Sequence, residues 1–454
     1  MRVSFYNLAW RWHFYAGLLV APVMIILAVT GIIYLFKPQL DPLLYPQLMR
    51  VQAQAQPLPA DALLAQVRDA YPHASIDQYL PPATADSSAQ FILAQDGRSL
   101  SLFLDPYSGA LLGTQDAFYN LQAMARALHG ELLMGKVGDA IVELAAGWGV
   151  VLVISGLYLW WPRGKGAGGV LWPRLASRGR LFWRDLHAVV GFWGSLGLLF
   201  MLLTGMTWTG IWGKQYAELW NRFPTGMFSE VPLSDVKARN LNQAERQTVP
   251  WAVETMPMPM SGGAHAEHMG HGAPAGGPAA PQVSLQTVVD TAERAGVHPG
   301  YSVTFPKTDT GVYTVAVFAD DPRNDATLHI DQYTGRVLAD VRYAQYGPVA
   351  RATELSVMLH EGKMFGLANQ LVVLLICVMV LLGSVSGLVI WWKRRPARGL
   401  GAPPLRHDLP LWKTAVAVMA VIGVLFPLVG ASLLLVAVLE YAVLRWWRKP
   451  VAAA

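Results

Sequence analysis

Residues 10–37 read WRWHFYAGLLVAPVMIILAVTGIIYLFK, and this stretch decides whether the chain crosses a bilayer. Its apolar part, about 14–36, is long enough to cross the roughly 30 Å hydrocarbon core of a bilayer. The run is too long for the core of a signal peptide and lacks a small-x-small cleavage site, so we interpret it as a retained anchor. His13 lies at its start, and Thr30-Gly31 follows 17 residues later.

The composition of the whole chain is that of a membrane protein. Of 454 residues, 53% are hydrophobic and only 14% are charged. Six stretches are long enough to span a bilayer, near 14–37, 138–161, 187–212, 367–392, 411–429 and 431–447. The last two predict a tight helical hairpin over 411–447, around Pro427 and Gly430.

The basic loops predict the orientation. Lys and Arg residues are concentrated in 162–185, in 393–410 and at both ends of the chain. All four regions fall on one side of a six-span arrangement, which makes that side, and both termini, cytoplasmic. The polar segments 38–128 and 213–359 are then outside, which in a bacterial inner membrane is the periplasm. The net charge of +5 therefore reflects topology and does not indicate nucleic-acid binding.

The two halves of the chain repeat each other. Phe103-Leu-Asp-Pro-Tyr-Ser-Gly109 resembles His329-Ile-Asp-Gln-Tyr-Thr-Gly335, and each motif reads as a strand running into a glycine turn. Ahead of each motif lie a helix-like stretch (61–71 and 284–295) and an alternating strand (90–95 and 311–318). We therefore predict a mainly α, internally duplicated membrane protein with two external α+β domains. Its segments are 1–37, 38–128, 129–161, 162–185, 186–212, 213–359, 360–392 and 411–447.

Four histidines follow the same repeat. Like His13, His187 lies 17 residues before a Thr-Gly pair, Thr204-Gly205. His129 and His360 each lie 26 residues before a Ser-Gly pair, Ser155-Gly156 and Ser386-Gly387. Equal spacing places His13 and His187 at one depth, on the cytoplasmic edge, and His129 and His360 at another, on the periplasmic edge.

A straight helix from Trp161 back to His129 would be about 48 Å long, which exceeds the bilayer. Glycines between each histidine and its span therefore predict a break: Gly135 and Gly138 in the first half, Gly362 and Gly366 in the second. His129 and His360 would then lie on short interfacial helices.

The two pairs suggest two bis-histidine haem sites, because haem iron takes axial imidazoles on opposite faces of the ring. Haem propionates favour nearby cations, and the candidates are Arg11, Arg126, Arg184 and Lys363. The single cysteine, Cys377, excludes a CxxCH attachment site, so the haems would be b-type. The alternative is that the histidines are interfacial residues hydrogen-bonded to neighbours and the repeat records only a duplication. We attribute Thr30, Ser155, Thr204 and Ser386 to helix packing.

The sequence resembles the PepSY-associated transmembrane helix proteins, iron-regulated inner-membrane proteins that include ferric-siderophore reductases. The resemblance covers nearly the whole chain, and it rests on Trp10-Arg-Trp-His-Phe-Tyr-Ala-Gly17, Leu128-His-Gly-Glu131, Ser155-Gly-Leu-Tyr-Leu-Trp-Trp-Pro162, Arg184-Asp-Leu-His187 and Ser386-Gly-Leu-Val-Ile-Trp-Trp392. It implies two periplasmic PepSY-like domains, b-type haem in at least some members, and a role in releasing siderophore iron by reduction.

No dinucleotide fingerprint is present, and the cytoplasmic loops are too short for a flavin or NAD domain. Electrons would come from a cytoplasmic reductase or from quinol in the surrounding lipid, and would reach a periplasmic ferric siderophore or another metal complex.

Segment 252–282 departs from the resemblance. It is rich in Met, Gly, Pro, Ala and His, which predicts a disordered insertion. Its thioether and imidazole groups are copper-type ligands, and the candidates are His265, His268, Met269 and His271. Cupric reduction is therefore an alternative function. A third reading is a haem-free protein whose external domains bind or regulate a partner.

Overall fold

The computed structural model describes residues 5–162, 168–220, 231–242, 247–262, 281–395 and 413–447. The chain divides into two compact units, each built from several segments. A helical unit comprises Met1–Ile32, Leu128–Tyr216 and Val372–Ala454, and a sheet unit comprises Ile33–Ala127 and Ala217–Leu371.

Four helices are long and apolar enough to cross a membrane. They are α1 (Phe5–Leu35), α6 (Lys136–Trp160), α7 (Arg180–Met206) and α11 (Leu367–Arg394). Helix α1 continues through Pro22, which transmembrane helices tolerate because other groups satisfy the freed carbonyl. The remaining helices are α2 (Lys37–Leu44), α3 (Pro46–Met49), α4 (Ala60–Ala70), α5 (Leu121–Glu131), α8 (Trp212–Trp220), α9 (Leu285–Arg294), α10 (Pro348–His360), α12 (Lys413–Leu425) and α13 (Pro427–Trp447).

The four spans and the two predicted breaks are confirmed. Helix α5 ends at Glu131 and α6 begins at Lys136, with Gly135 at φ +56 between them. Gly362 and Gly366, with φ of +75 and +55, separate α10 from α11 in the same way. This left-handed conformation costs glycine nothing. The prediction is wrong for Gly138, which lies inside α6 rather than in the break. Its close approach to the carbonyl of Glu131 leaves no room for a side chain.

The predicted C-terminal hairpin packs on α6 within the helical unit. A Cβ at Gly147 would lie 2.7 Å from the side chain of Val429, and the indole of Trp148 donates a hydrogen bond to Ser432 over 3.1 Å. Helix α12 has 13 residues, fewer than the roughly 20 that a span needs. The arrangement with six spans therefore stays a prediction.

The core of the helical unit is apolar and contains members of three spans. Val20 and Met24 of α1 pack with Val150 of α6 and with Leu202 of α7. Small residues allow the close approach that transmembrane helices favour: a Cβ at Gly149 would lie 2.9 Å from Leu202.

Buried carboxylates in the helical unit have structural roles. Glu143, which is 2% exposed, accepts hydrogen bonds from the backbone N–H groups of Ile211 and Trp212 at the start of α8. A carboxylate at that end of a helix is favoured by the helix dipole. Asp185, 1% exposed, binds the guanidinium of Arg174 over 2.6 and 2.9 Å.

The sheet unit contains one eight-stranded antiparallel sheet with the order β10-β9-β8-β7-β1-β2-β3-β4. Its strands are β1 (Ser75–Leu80), β2 (Ala89–Gln95), β3 (Arg98–Leu104), β4 (Leu111–Asp116), β7 (Ser302–Thr304), β8 (Val312–Val317), β9 (Ala326–Asp331) and β10 (Val337–Arg342). A separate ribbon pairs β5 (Leu233–Lys237) with β6 (Pro257–Pro259). The helices and strands predicted at 61–71, 284–295, 90–95 and 311–318 are confirmed as α4, α9, β2 and β8.

The two predicted external modules share this sheet. Strand β1 pairs antiparallel with β7, matching Gln78 with Thr304 and Tyr79 with Val303. Both module helices contribute to a single hydrophobic core, which includes Leu63 of α4 and Val288 of α9. The joining of the modules was not predicted, because periodicity identifies strands but not their partners.

Equivalent turns follow β3 and β9, as the matched motifs predicted. Asp105 accepts the backbone N–H of Tyr107 through its side chain and that of Gly109 through its carbonyl, each over 2.9 Å. Asp331 makes the same pair of bonds, to Tyr333 and Gly335. Gly109 and Gly335 have φ of +73 and +70, a conformation that favours glycine.

The prediction of disorder over 252–282 is wrong for its first part. Trp251–Val253 forms a 3-10 turn, Pro257–Pro259 is strand β6, and Met256 and Met258 are buried. These thioethers pack against the protein, which explains why their segment is ordered. Residues 263–280, which contain His265, His268, Met269 and His271, lie outside the described residues.

Candidate functional site

His13 and His187 lie together in the helical unit. The centres of their rings are 6.2 Å apart, and the ring planes make an angle of 78°. The two residues come from α1 and α7, each within the first turns of its span. The sequence pairing of these two histidines thus corresponds to a real juxtaposition.

Both imidazoles are held through the same ring nitrogen. Nδ1 of His187 lies 2.9 Å from the carbonyl oxygen of Gly383 and 3.3 Å from Oγ of Ser386, both on α11. Nδ1 of His13 lies 2.9 Å from Oγ of Ser155 on α6. A carbonyl oxygen only accepts hydrogen bonds, so Nδ1 of His187 carries the proton and Nε2 retains its lone pair.

This donor set fits a metal atom held between the two rings. Two imidazoles that would hold one metal from opposite sides have ring centres about 6.4 Å apart, because each metal–nitrogen bond is about 2.1 Å long and each ring centre lies about 1.1 Å beyond its nitrogen. The observed separation of 6.2 Å agrees with that geometry. A metal-binding imidazole usually donates its other ring N–H to a carbonyl or a similar acceptor, as His187 does. Among the described residues, no group of three or more His, Cys, Asp and Glu is arranged as a conventional metal site.

His129 lies beside Thr30, at the opposite end of α1 from His13. Its Nδ1 lies 3.1 Å from Oγ1 of Thr30, and a Cβ at Gly31 would lie 3.3 Å from its Cε1. His13 and Thr30 are separated by about 26 Å along α1, at 1.5 Å per residue. The two histidine positions are thus separated by nearly the thickness of the hydrocarbon core.

His360 is the last residue of α10 and belongs to the sheet unit. Its pairing with His129 stays a prediction.

Three of the four hydroxyl residues of the repeat do more than pack helices, so our attribution to packing is wrong for them, whereas for Thr204 it stays a prediction. Ser155, Ser386 and Thr30 each hydrogen-bond a candidate ligand, and each ligand belongs to a different helix from its hydroxyl. Spacing along the sequence associated Thr30 with His13, whereas in the fold it supports His129. The matched spacings were the signal that pointed to these residues, but they do not tell which histidine each one contacts.

The chain matches the PepSY-associated TM region family over residues 10–394. It belongs to that family. The match includes all four long apolar helices and ends where α11 ends, so α12 and α13 lie beyond it. Comparison with curated proteins finds no match. This PepSY-associated protein is therefore a multi-pass membrane protein.

Two of the cations predicted to bind propionates in this PepSY-associated protein form ion pairs with neighbouring carboxylates. Arg184 donates to Asp185 over 3.1 Å, and Lys363 forms an ion pair with Glu361 over 2.6 Å. Burial lowers the pKa of Lys363, but the charge of Glu361 outweighs it and raises the pKa above its usual range.

Arg11 lies near the ring of Tyr15, with its guanidinium carbon 5.7 Å from the ring centre. Arg126 interacts electrostatically with Glu361. The carboxylates offset part of the positive charge that a propionate would meet at Arg184, Lys363 and Arg126.

Proposed function

We propose that this protein is a transmembrane reductase that binds two b-type haems, each between two histidines. Electrons enter from a cytoplasmic reductase or from quinol and leave to a ferric, siderophore-bound iron on the periplasmic side. Each ferric ion takes one electron, and reduction weakens the grip of its hard oxygen ligands. Bound haem supplies the one-electron chemistry.

The observation that carries this proposal is the pair formed by His13 and His187. Two imidazoles from different spans lie at the separation of shared metal ligands, and His187 has its Nδ1 proton engaged by the protein. Hydrogen bonding explains why each ring is held at its Nδ1, and the approach of two such rings to 6.2 Å is the further observation that favours a shared metal.

The protein residues have three tasks in this function. His13 and His187 would hold one haem at one end of α1, and His129 with His360 would hold the other. The apolar core between the two ends, with Val20 and Met24, keeps water away from the spans. Reduction of the ferric ion needs no general acid or base, because only an electron is transferred to it. With quinol as the donor, each quinol gives up two electrons, enough for two ferric ions, and releases two protons.

The proposal includes the topology. We place the protein in a bacterial inner membrane with six spans, both termini cytoplasmic and the sheet unit in the periplasm. The basic residues of 162–185 and 393–410 support this orientation. Counted outward from the β1–β7 pair, strands β1–β4 follow one another on one side of the sheet and β7–β10 on the other. This mirrored order supports an internal duplication.

A reduced-minus-oxidised absorption spectrum of the detergent-purified protein, with haem quantified per chain, tests the function. We expect about two b-type haems per chain, one lost in His13→Ala and in His187→Ala, and the other lost in His129→Ala. Protein that contains no haem after expression with ample haem supply would refute the reductase. It would favour a haem-free protein whose sheet unit binds or regulates a partner.

A second candidate substrate is cupric copper. Residues 263–280 contain His265, His268, Met269 and His271, and soft thioethers select Cu(I), the product of cupric reduction. Deletion of 263–280 spares the ordered residues 251–262, whose removal would damage the sheet unit. Loss of cupric but not ferric reduction would support copper, and unchanged rates with both metals would remove this candidate.

A further inference from the structure

The hydroxyl groups beside the histidines each donate their one proton to a backbone carbonyl of their own helix. Oγ of Ser155 donates to the carbonyl of Val151 over 2.7 Å, and Oγ1 of Thr30 donates to Ile26 over 2.7 Å. Oγ of Ser386 likewise donates to Leu382, over 2.5 Å. A hydroxyl has one donor and two acceptor sites. Each of these oxygens is therefore left to accept, and the histidine Nδ1 beside it must donate.

A glycine follows each hydroxyl and makes room for the ring. A Cβ at Gly156 would lie 3.1 Å from Cε1 of His13, and a Cβ at Gly387 would lie 3.3 Å from Cε1 of His187. The imidazole thus lies over the glycine while its Nδ1 reaches the hydroxyl. We call the pairs Ser155-Gly156, Ser386-Gly387 and Thr30-Gly31 the hydroxyl–glycine seats.

We propose that the hydroxyl–glycine seats are positioning elements that hold His13, His187 and His129 as the Nδ1–H tautomer, with Nε2 of His13 and His187 directed to bind a metal. This inference rests on the proposed function for the identity of the metal group, but the tautomer itself does not depend on haem. Donation from Nδ1 also makes Nε2 a stronger ligand. Stronger axial donation stabilises ferric haem and lowers its reduction potential.

Ser155→Ala in the full-length protein is the main test. It removes the hydroxyl acceptor of His13 and leaves its backbone hydrogen bond to Leu152, so we expect one haem to bind about 10-fold more weakly and to show a higher reduction potential in a spectroelectrochemical titration. Ser155→Thr restores an acceptor of the kind that Thr30 provides to His129, and it should return both properties toward those of the wild type.

Ser195→Ala is the matched control. Ser195 is a serine of α7 whose hydroxyl donates to the carbonyl of Phe192 over 2.7 Å, and it should leave haem affinity and potential unchanged. If Ser155→Ala matches the wild type in both properties, or if Ser155→Thr is as impaired as Ser155→Ala, the hydroxyl is not a positioning group.

Gly156→Ala provides a second variant that keeps the hydroxyl. Its methyl group would push the ring of His13 by a few tenths of an ångström, so we expect the same haem to be perturbed. A wild-type spectrum with Gly156→Ala would contradict the seat.

Nitrogen NMR of the haem-free protein, labelled at histidine, separates this inference from the proposed function. We expect the resonances that are lost in His13→Ala to show a protonated Nδ1 and an unprotonated Nε2. Protein that never binds haem but shows this tautomer would refute the reductase and retain the seat. The opposite tautomer at His13 would refute the seat, whatever the haem content.

Discussion

Asp325→Asn should stabilise the sheet unit at alkaline pH. Asp325 is 1% exposed, and among the described residues only one of its two carboxylate oxygens, Oδ1, has a hydrogen-bond partner, the backbone N–H of Ala319. Glu354, fully buried, and the hydroxyl of Tyr346 also carry unpartnered oxygens and interact electrostatically with Asp325. Burial raises the pKa of Asp325 to about 8, and burial with the neighbouring Asp325 raises the pKa of Glu354 well above its usual range.

The direction of the pH dependence follows from the pH range over which the folded and the unfolded state keep the proton of Asp325. Unfolded, Asp325 has its ordinary pKa of 3.8, whereas folded it keeps its proton up to about pH 8. The stabilisation is complete below the unfolded pKa and is lost as the pH rises toward 8. Each pH unit costs up to about 1.4 kcal/mol, so the upper limit between pH 5 and pH 8 is about 4 kcal/mol. Asparagine does not titrate and removes this loss.

Calorimetric unfolding of the full-length protein at pH 5 and pH 8 measures the effect. A domain of this size shifts by roughly 2–4 °C per kcal/mol. We expect the wild-type midpoint to fall between the two pH values, by up to about 8–16 °C, and Asp325→Asn to fall less. Asp69→Asn, at an exposed site on α4, should behave as the wild type. A wild-type midpoint that is flat or rises over this range would refute the argument.

Three further substitutions test the helical unit. Gly138→Ala would place a methyl group 1.6 Å from the carbonyl oxygen at the end of α5 and should abolish the native fold there. Gly130→Ala, with open space around it, should be tolerated. Haem retention or protease resistance would distinguish the two variants. Glu143→Ala leaves two backbone N–H groups at the start of α8 without their acceptor and should cost about 2–4 kcal/mol, seen as a lower unfolding temperature. Arg174→Ala removes a two-bond partner of buried Asp185 and should cost about 1–3 kcal/mol; a variant as stable as the wild type would show that Arg184 alone suffices.

The local features of the fold were predictable from the sequence. The four spans follow from apolar length, and the breaks beside His129 and His360 follow from Gly135 and Gly362, since a straight helix would have exceeded the bilayer. The glycine turns after β3 and β9 follow from their matched motifs. Each of these predictions depends on residues close together in the chain, whose geometry is set by short-range sterics.

The partners of these features were not predictable. The repeat shows that Thr30 and Ser155 are special but not that each supports a histidine of another helix. Strand alternation does not reveal that β1 and β7 join the modules. Met256 belongs to the segment whose composition predicted disorder, yet it is buried in a folded part of that segment. These outcomes depend on contacts between distant residues, and no local pattern encodes them.

The hydrogen bonds from these hydroxyls to backbone carbonyls affect whether protons can cross a membrane that holds a proton gradient. A proton hops through a protein only where a group accepts it on one side and releases another on the far side, and Ser155 and Thr30 have their only protons bound to helix carbonyls. Between them lies an apolar core, with Val20, Met24 and Val150 among its members. Neither hydroxyl is therefore available to relay a proton. In the proposed reductase, charge would therefore pass as electrons while the proton gradient across the same bilayer is kept.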